Sequence, residues 1–139
     1  MFEQMKWKLG FAVALGGGIL GACAPTNSNI AVPTYVSNSI VEMALASIAD
    51  DACSGISVNE AAVNAYKAEV ELRLIGETGS SAGKEAVLKE AALNPKKHLE
   101  PGMLAFADRN GMELGDEESF CSGFENEVKR NAKLASLIK

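Results

Sequence analysis

Apolar residues along this chain recur at intervals of three and four, and strict alternation is absent over any useful length, so the pattern predicts helices rather than strands. The first predicted helix covers Ser39 to Ala52, with Val41, Leu45, Ile48 and Ala52 on one stripe, and Ser54-Gly55 breaks it. Ser57 and Glu60 then have the spacing of a capping box, in which the hydroxyl takes a free amide and the carboxylate reaches back. A second helix is expected to run to Ile75, with Val63, Tyr66, Val70 and Leu74 inward and Gly76 as its end. Thr78-Gly79-Ser80 reads as a turn, and Ser81 as the cap of a third helix that carries Val87, Leu88 and Ala91.

Asn94-Pro95 marks a boundary, because proline disfavours helix at the residue before it and starts a helix well. Lys96 to Glu100 reads as a short turn. Pro101 then opens a helix through Met103, Leu104, Phe106 and Ala107 that stops at Asn110-Gly111. Asp116 is expected to cap a last helix from Glu117 to about Ile138, with Phe120, Phe124, Val128, Ala132 and Ala135 as its buried stripe. Its early acids and its late Lys129, Arg130 and Lys133 each oppose the helix dipole in the stabilising sense. The expected architecture is all-α, a small irregular bundle of about five helices with one disulfide.

Ahead of this domain stands a different kind of segment. Lys6 and Lys8 are followed by an uncharged run from Leu9 to Leu20, closed by Leu20-Gly21-Ala22-Cys23. A positive start, a short apolar stretch and small residues before a cut are the marks of an export signal. The cut site resembles the lipobox of bacterial lipoproteins, in which the cysteine thiol becomes the acyl acceptor. The apolar run falls short of the roughly 20 residues that a membrane span requires. Residues 1–22 therefore read as a signal peptide, Cys23 as the lipidated residue, 23–38 as a flexible tether carrying Pro25 and Pro33, and 39–139 as the domain. Ala24 after the cysteine resembles the sorting pattern that favours the outer membrane. Gly16-Gly17-Gly18-Ile19-Leu20-Gly21 fits a dinucleotide-binding spacing, but no strand precedes it and no acidic residue stands at the required distance.

Charge narrows the functions left open. The chain carries 18 acidic and 13 basic residues, a net of −5. Glu3, Lys6 and Lys8 lie in the leader, so the remainder is more acidic still. Nucleic acid demands a basic face, and none is expected here. His98, the sole histidine, stands beside Lys96 and Lys97 with no second ligand at helical spacing, and reads as a solvated loop residue. Glu117-Glu118 and the pair Glu125 and Glu127 read as a solvated acidic face, since no Asp-rich loop with a fixed glycine accompanies them. No nucleophile elbow frames a serine, Ser119 included. No catalytic residue, metal ligand or cofactor is expected.

Cys53 and Cys121 remain. One ends the first predicted helix and the other sits early in the last. Two thiols in a small exported domain favour a structural disulfide. The alternative is a redox-active Cys121 at a helix N-terminus, a position that Asp116, Glu117 and Glu118 make unfavourable for a thiolate.

Around these cysteines the sequence resembles a family of small exported helical proteins of alphaproteobacteria, the domain of unknown function numbered 5333. The resemblance rests on Ile48-Ala49-Asp50-Asp51-Ala52-Cys53 with Ile56, on Ser119-Phe120-Cys121 with Glu125, and on the closing Leu134, Leu137, Ile138 and Lys139. Asp51-Ala52 stands where the family carries an Arg-Lys pair, so nothing attached to that pair is carried over. The resemblance implies a paired-cysteine helical fold and no activity. Two readings of function follow: a lipid-anchored periplasmic protein that acts through an envelope protein partner without catalysis, or a binding module with a small molecule between helices lined by Tyr66, Met103 and Phe106.

Overall fold

Proline fixes where the first helix begins. The structure, a computed structural model, describes residues 30–113 and 115–139; the expected signal peptide, Cys23 and the first part of the tether lie outside the described residues. Helix α1 spans Thr34–Ala52 and starts directly after Pro33, five residues before the expected Ser39. Ser39 is instead an interior residue, 1% exposed, whose hydroxyl donates to the Val36 carbonyl at 2.7 Å and so satisfies itself within the helix. The stretch read as the end of a tether is thus ordered, with Ile30, Val32 and Tyr35 packed onto the protein.

Six further helical segments follow: α2 Glu60–Thr78, α3 Ser81–Leu93, α4 Pro95–His98, α5 Glu100–Arg109, α6 Glu117–Val128 and α7 Ala132–Ser136. Among the described residues the fold is all-α, with one isolated β-bridge between Val58 and Ile138 and no strand. Five segments are the expected helices, and the short α4 and α7 are additions.

The differences from the sequence expectation lie at the ends. Asn59, not Ser57, caps α2, its side-chain oxygen accepting from the Ala62 amide at 3.3 Å. Ser57 is engaged elsewhere: its amide and hydroxyl both donate to the Lys139 carbonyl, which pins the C-terminus. Helix α2 runs through Gly76 and ends at Gly79, whose φ of 78° supplies the left-handed turn that Gly76 was expected to make. Ser80 rather than Ser81 caps α3, accepting from the Gly83 amide at 3.0 Å. Lys96 to Glu100 is not an open turn, because Pro95 starts α4 and Glu100 already begins α5. Asp116 caps α6 as expected, accepting from the Glu118 amide.

The last helix is broken in two. Lys129 and Arg130 form a turn, and Asn131 caps α7 by accepting from the Leu134 amide at 3.0 Å. The break redirects the chain so that Leu134 and Leu137, both fully buried, enter the core in place of Ala132 and Ala135.

Two clusters form the interior. Leu45, Ala46, Ala49, Cys53, Val63, Phe106, Phe124, Leu134 and Leu137 make the larger, and Val36, Val70, Leu74, Val87 and Ala91 the smaller. Helix α1 contributes to both and is the spine of the fold. Its burial is wider than the predicted stripe: Leu45 is in the core, while Val41, Ile48 and Ala52 are half-buried beside fully covered Ala44, Ala46 and Ala49. Small side chains on several faces let neighbouring helices surround it.

The Cys53–Cys121 disulfide joins the end of α1 to α6, with Cα atoms 5.6 Å apart. Phe124 and half-buried Val128 enter the same cluster as Leu45 and Val41, so α1 and α6 pack against each other.

Candidate functional site

Polar side chains converge at several places among the described residues, including an exposed group in which Tyr35 and Arg73 both donate to Glu77, and a shallow depression covers the disulfide. The best connected lies where α5 and α6 end. Glu127 is 6% exposed, yet its carboxylate is fully engaged. Oε1 accepts from Arg109 Nη2 at 2.9 Å, and Oε2 accepts from Asn110 Nδ2 at 2.9 Å and Arg130 Nη2 at 3.2 Å. Arg130 Nη2 also donates to Asn110 Oδ1 at 2.7 Å, closing the network. Burial alone would raise the Glu127 pKa; the hydrogen bonds from Asn110 and Arg109 and the charges of Arg109 and Arg130 outweigh it and hold the carboxyl below its ordinary value. A buried charge with two cations and three donors is fully compensated.

Helix geometry places these groups together. Glu127 continues the Phe120 and Phe124 stripe at helical spacing, so its side chain must enter the interior. The Glu125 and Glu127 pair was expected to be a solvated face. Glu125 is exposed, but Glu127 is not, and the stripe itself was the signal that separates them. Asn110 Nδ2 also donates to the Phe106 carbonyl, which caps α5 and fixes the amide against the carboxylate. Outside the network, Arg109, Asn110, Asn126, Lys129 and Arg130 line an open depression of about 340 Å³.

A second polar group ties α1, α2 and α7 together. Tyr66 donates to Glu42 Oε2 at 2.6 Å, and Asn131 Nδ2 donates to Oε1 at 3.0 Å. Burial first, then the hydrogen bond and charge of Glu42, hold the phenol protonated well above its usual range. Lys133 Nζ lies 4.5 Å from the Tyr66 ring centre and 3.1 Å from Glu69. Asn131 thereby does two things, capping α7 with its oxygen and docking it with its nitrogen.

His98 differs from its expectation. It is 8% exposed, at the end of α4, with Nδ1 3.5 Å from Ser37 Oγ and Nε2 buried without a hydrogen-bond partner. Pro95 starts a helical turn that leaves Lys96 and Lys97 outward and carries His98 inward. The lysines beside it in sequence suggested solvent, and one turn of helix separated them.

Cys53 and Cys121 are brought together and bonded, so neither presents the free thiolate that a redox-active Cys121 requires. The bond borders an open depression of about 500 Å³ lined by Ser54, Asp116, Glu117, Glu118 and Glu125. Among the described residues no three His, Cys, Asp or Glu side chains are grouped to hold a metal. Phe106 is buried in the larger cluster, with Met103 and Tyr66 half-buried against it, and both depressions are lined by other residues. No described helix is long and apolar enough to cross a membrane.

No protein-family model, curated protein or solved structure matches this chain.

Proposed function

We propose that this protein is an exported, lipid-anchored domain of the bacterial envelope, held at the membrane through acylated Cys23 and acting through a protein partner without catalysis. One observation carries the reading: the segment from Lys6 to Cys23, with its charged start, short apolar run and Leu20-Gly21-Ala22-Cys23 close. The Cys53–Cys121 bond supports it, because structural disulfides persist in oxidising compartments such as the periplasm. The resemblance of both cysteine segments to the domain of unknown function numbered 5333 points to the same address, and Ala24 favours the outer membrane.

Fatty-acid labelling of the full chain and of Cys23→Ser tests it. Label on the parent and none on the variant is the expected result, and a label that survives the substitution overturns the anchor. Crosslinking of the acylated protein in intact cells, run beside native mass spectrometry of the purified protein, tests the mode of action. A specific envelope protein supports the partner reading, whereas a stoichiometric small molecule moves the role to a binding module.

A further inference from the structure

The lip formed by Arg109, Lys129 and Arg130 is at odds with the charge of the chain. The protein is acidic overall, at −5, yet three cations, one from the end of α5 and two from the turn after α6, border one depression of about 340 Å³. Glu127 is the one carboxylate in the network beneath them, and it neutralises a single charge. Its two oxygens hold the two guanidiniums from below, so both are fixed in place before any ligand arrives.

Those contacts leave donors unspent. Among the described residues, Arg109 and Arg130 bond to protein only through Nη2, and a guanidinium carries five N–H donors in a planar fork. Each side chain remains about half exposed, at 50% and 55%. Lys129 makes no ion pair among the described residues, and Asn126 adds an amide to the same wall.

The ordinary role of cations at the end of a helix is to offset the backbone carbonyls there. Here two of those carbonyls already have local donors. The Phe106 carbonyl accepts from the amide and the side chain of Asn110, and the Glu127 carbonyl accepts from the Arg130 and Asn131 amides. The cations are therefore oriented but not consumed.

We propose that this depression is an oxyanion subsite for a phosphate group, with Arg109 and Arg130 as the preorganised fork and Lys129 as a mobile third charge. Planar guanidiniums match tetrahedral oxyanions by paired hydrogen bonds, and prior fixation lowers the ordering cost of binding. The overall negative charge gives no long-range attraction, so the site acts by contact over a few ångströms. It requires no anchor at Cys23 and stands apart from the lipoprotein reading. The phosphate belongs either to a phospholipid headgroup or to a free phosphate.

The test is an NMR titration of the isotope-labelled full chain, following the arginine Nε–H signals. Sodium phosphate is added against sodium chloride of equal ionic strength. Saturable shifts with phosphate and none with chloride are expected. Lys129→Gln touches no ion pair, so the fold is not at risk, and it weakens phosphate binding about threefold, the size of one exposed charge pair. A double variant, Arg109→Gln with Arg130→Gln, abolishes the phosphate-dependent shifts of the Asn126 and Lys129 backbone amides, which the substitutions leave in place as reporters. Short-chain phosphatidylglycerol below its micelle concentration presents a phosphodiester. Saturable shifts with it identify the lipid headgroup, and a response to inorganic phosphate alone identifies free phosphate. No saturable response to either probe, or unchanged phosphate affinity in Lys129→Gln, overturns the subsite.

Discussion

Glu127 shows how one side chain links stability to pH. Its folded pKa is held below the ordinary 4.5. A depressed carboxyl stabilises the fold fully above its unfolded value, and that contribution disappears as pH falls through the folded one. Stability should therefore decline below about pH 4.5. Glu127→Gln keeps the volume but not the charge, so it should cost about 1 to 2 kcal/mol at pH 7, since both arginine partners are half exposed. It should also flatten the acid limb. Urea unfolding at pH 7 and pH 3.5 checks both, and parallel losses in parent and variant would place the acid sensitivity elsewhere. His98 gives a contrasting case. A solvated imidazole could be removed at almost no cost, but the buried one leaves a cavity, so His98→Ala should lose about 1 to 3 kcal/mol. An unchanged melting temperature would contradict its burial.

At the scale of helices, two glycines give opposite predictions for the same substitution. Gly76 lies inside α2 with open space where a Cβ would go, and helical Gly is less favourable than Ala by roughly 0.5 to 1 kcal/mol. Gly76→Ala should stabilise the protein by about that amount, whereas a glycine that ended the helix would resist the change. Gly102 in α5 approaches α1 so closely that a Cβ would stand 2.5 Å from Val41 Cγ2. Valine is stiff in a helix and cannot swing away, so Gly102→Ala should destabilise by about 1 to 3 kcal/mol despite its better helix propensity. Thermal melts of the pair are the measurement, and a shift of the same sign in both would sink the assignment. Helix periodicity found α1, α2, α3, α5 and the first half of the last helix. It missed the break at residues 129–131 because Lys129 and Arg130 are good helix formers whose local preference is helical. The pull of Leu134 and Leu137 into the core overrides that preference, and Asn131 supplies the cap.

For the whole molecule, the Cys53–Cys121 bond closes a loop with a sequence separation of 68 that holds α2 to α5 and the start of α6 and ties it to the end of α1. Chain entropy alone assigns such a loop about 4 kcal/mol. A small domain has about 5 to 15 kcal/mol in total, so reduction should lower the melting temperature by roughly 15 °C. Calorimetry with and without reductant checks this, and a shift below a few degrees would show that the reduced chain keeps the loop closed by other means. Helices should survive reduction in mild conditions, because the larger cluster draws on α1, α2, α5, α6 and α7 at once.

Local rules in the sequence were sufficient wherever the cause was local. Spacing of apolar residues set the helices, Asp116 set a cap, Asn94-Pro95 set a boundary, and two cysteines bounded by helix ends set a bond that the fold contains. Tertiary structure decided whatever depends on a partner distant in the chain. Glu127 meets Arg109 across 18 positions, Asn131 meets Glu42 across 89, and Ser57 gives up a capping role to hold Lys139 across 82. Burial of a charge is favourable only when such partners arrive, and no periodicity announces them. His98 and Ser39 are buried for the same reason: their neighbours in space, not in sequence, exclude the water that polar residues otherwise find.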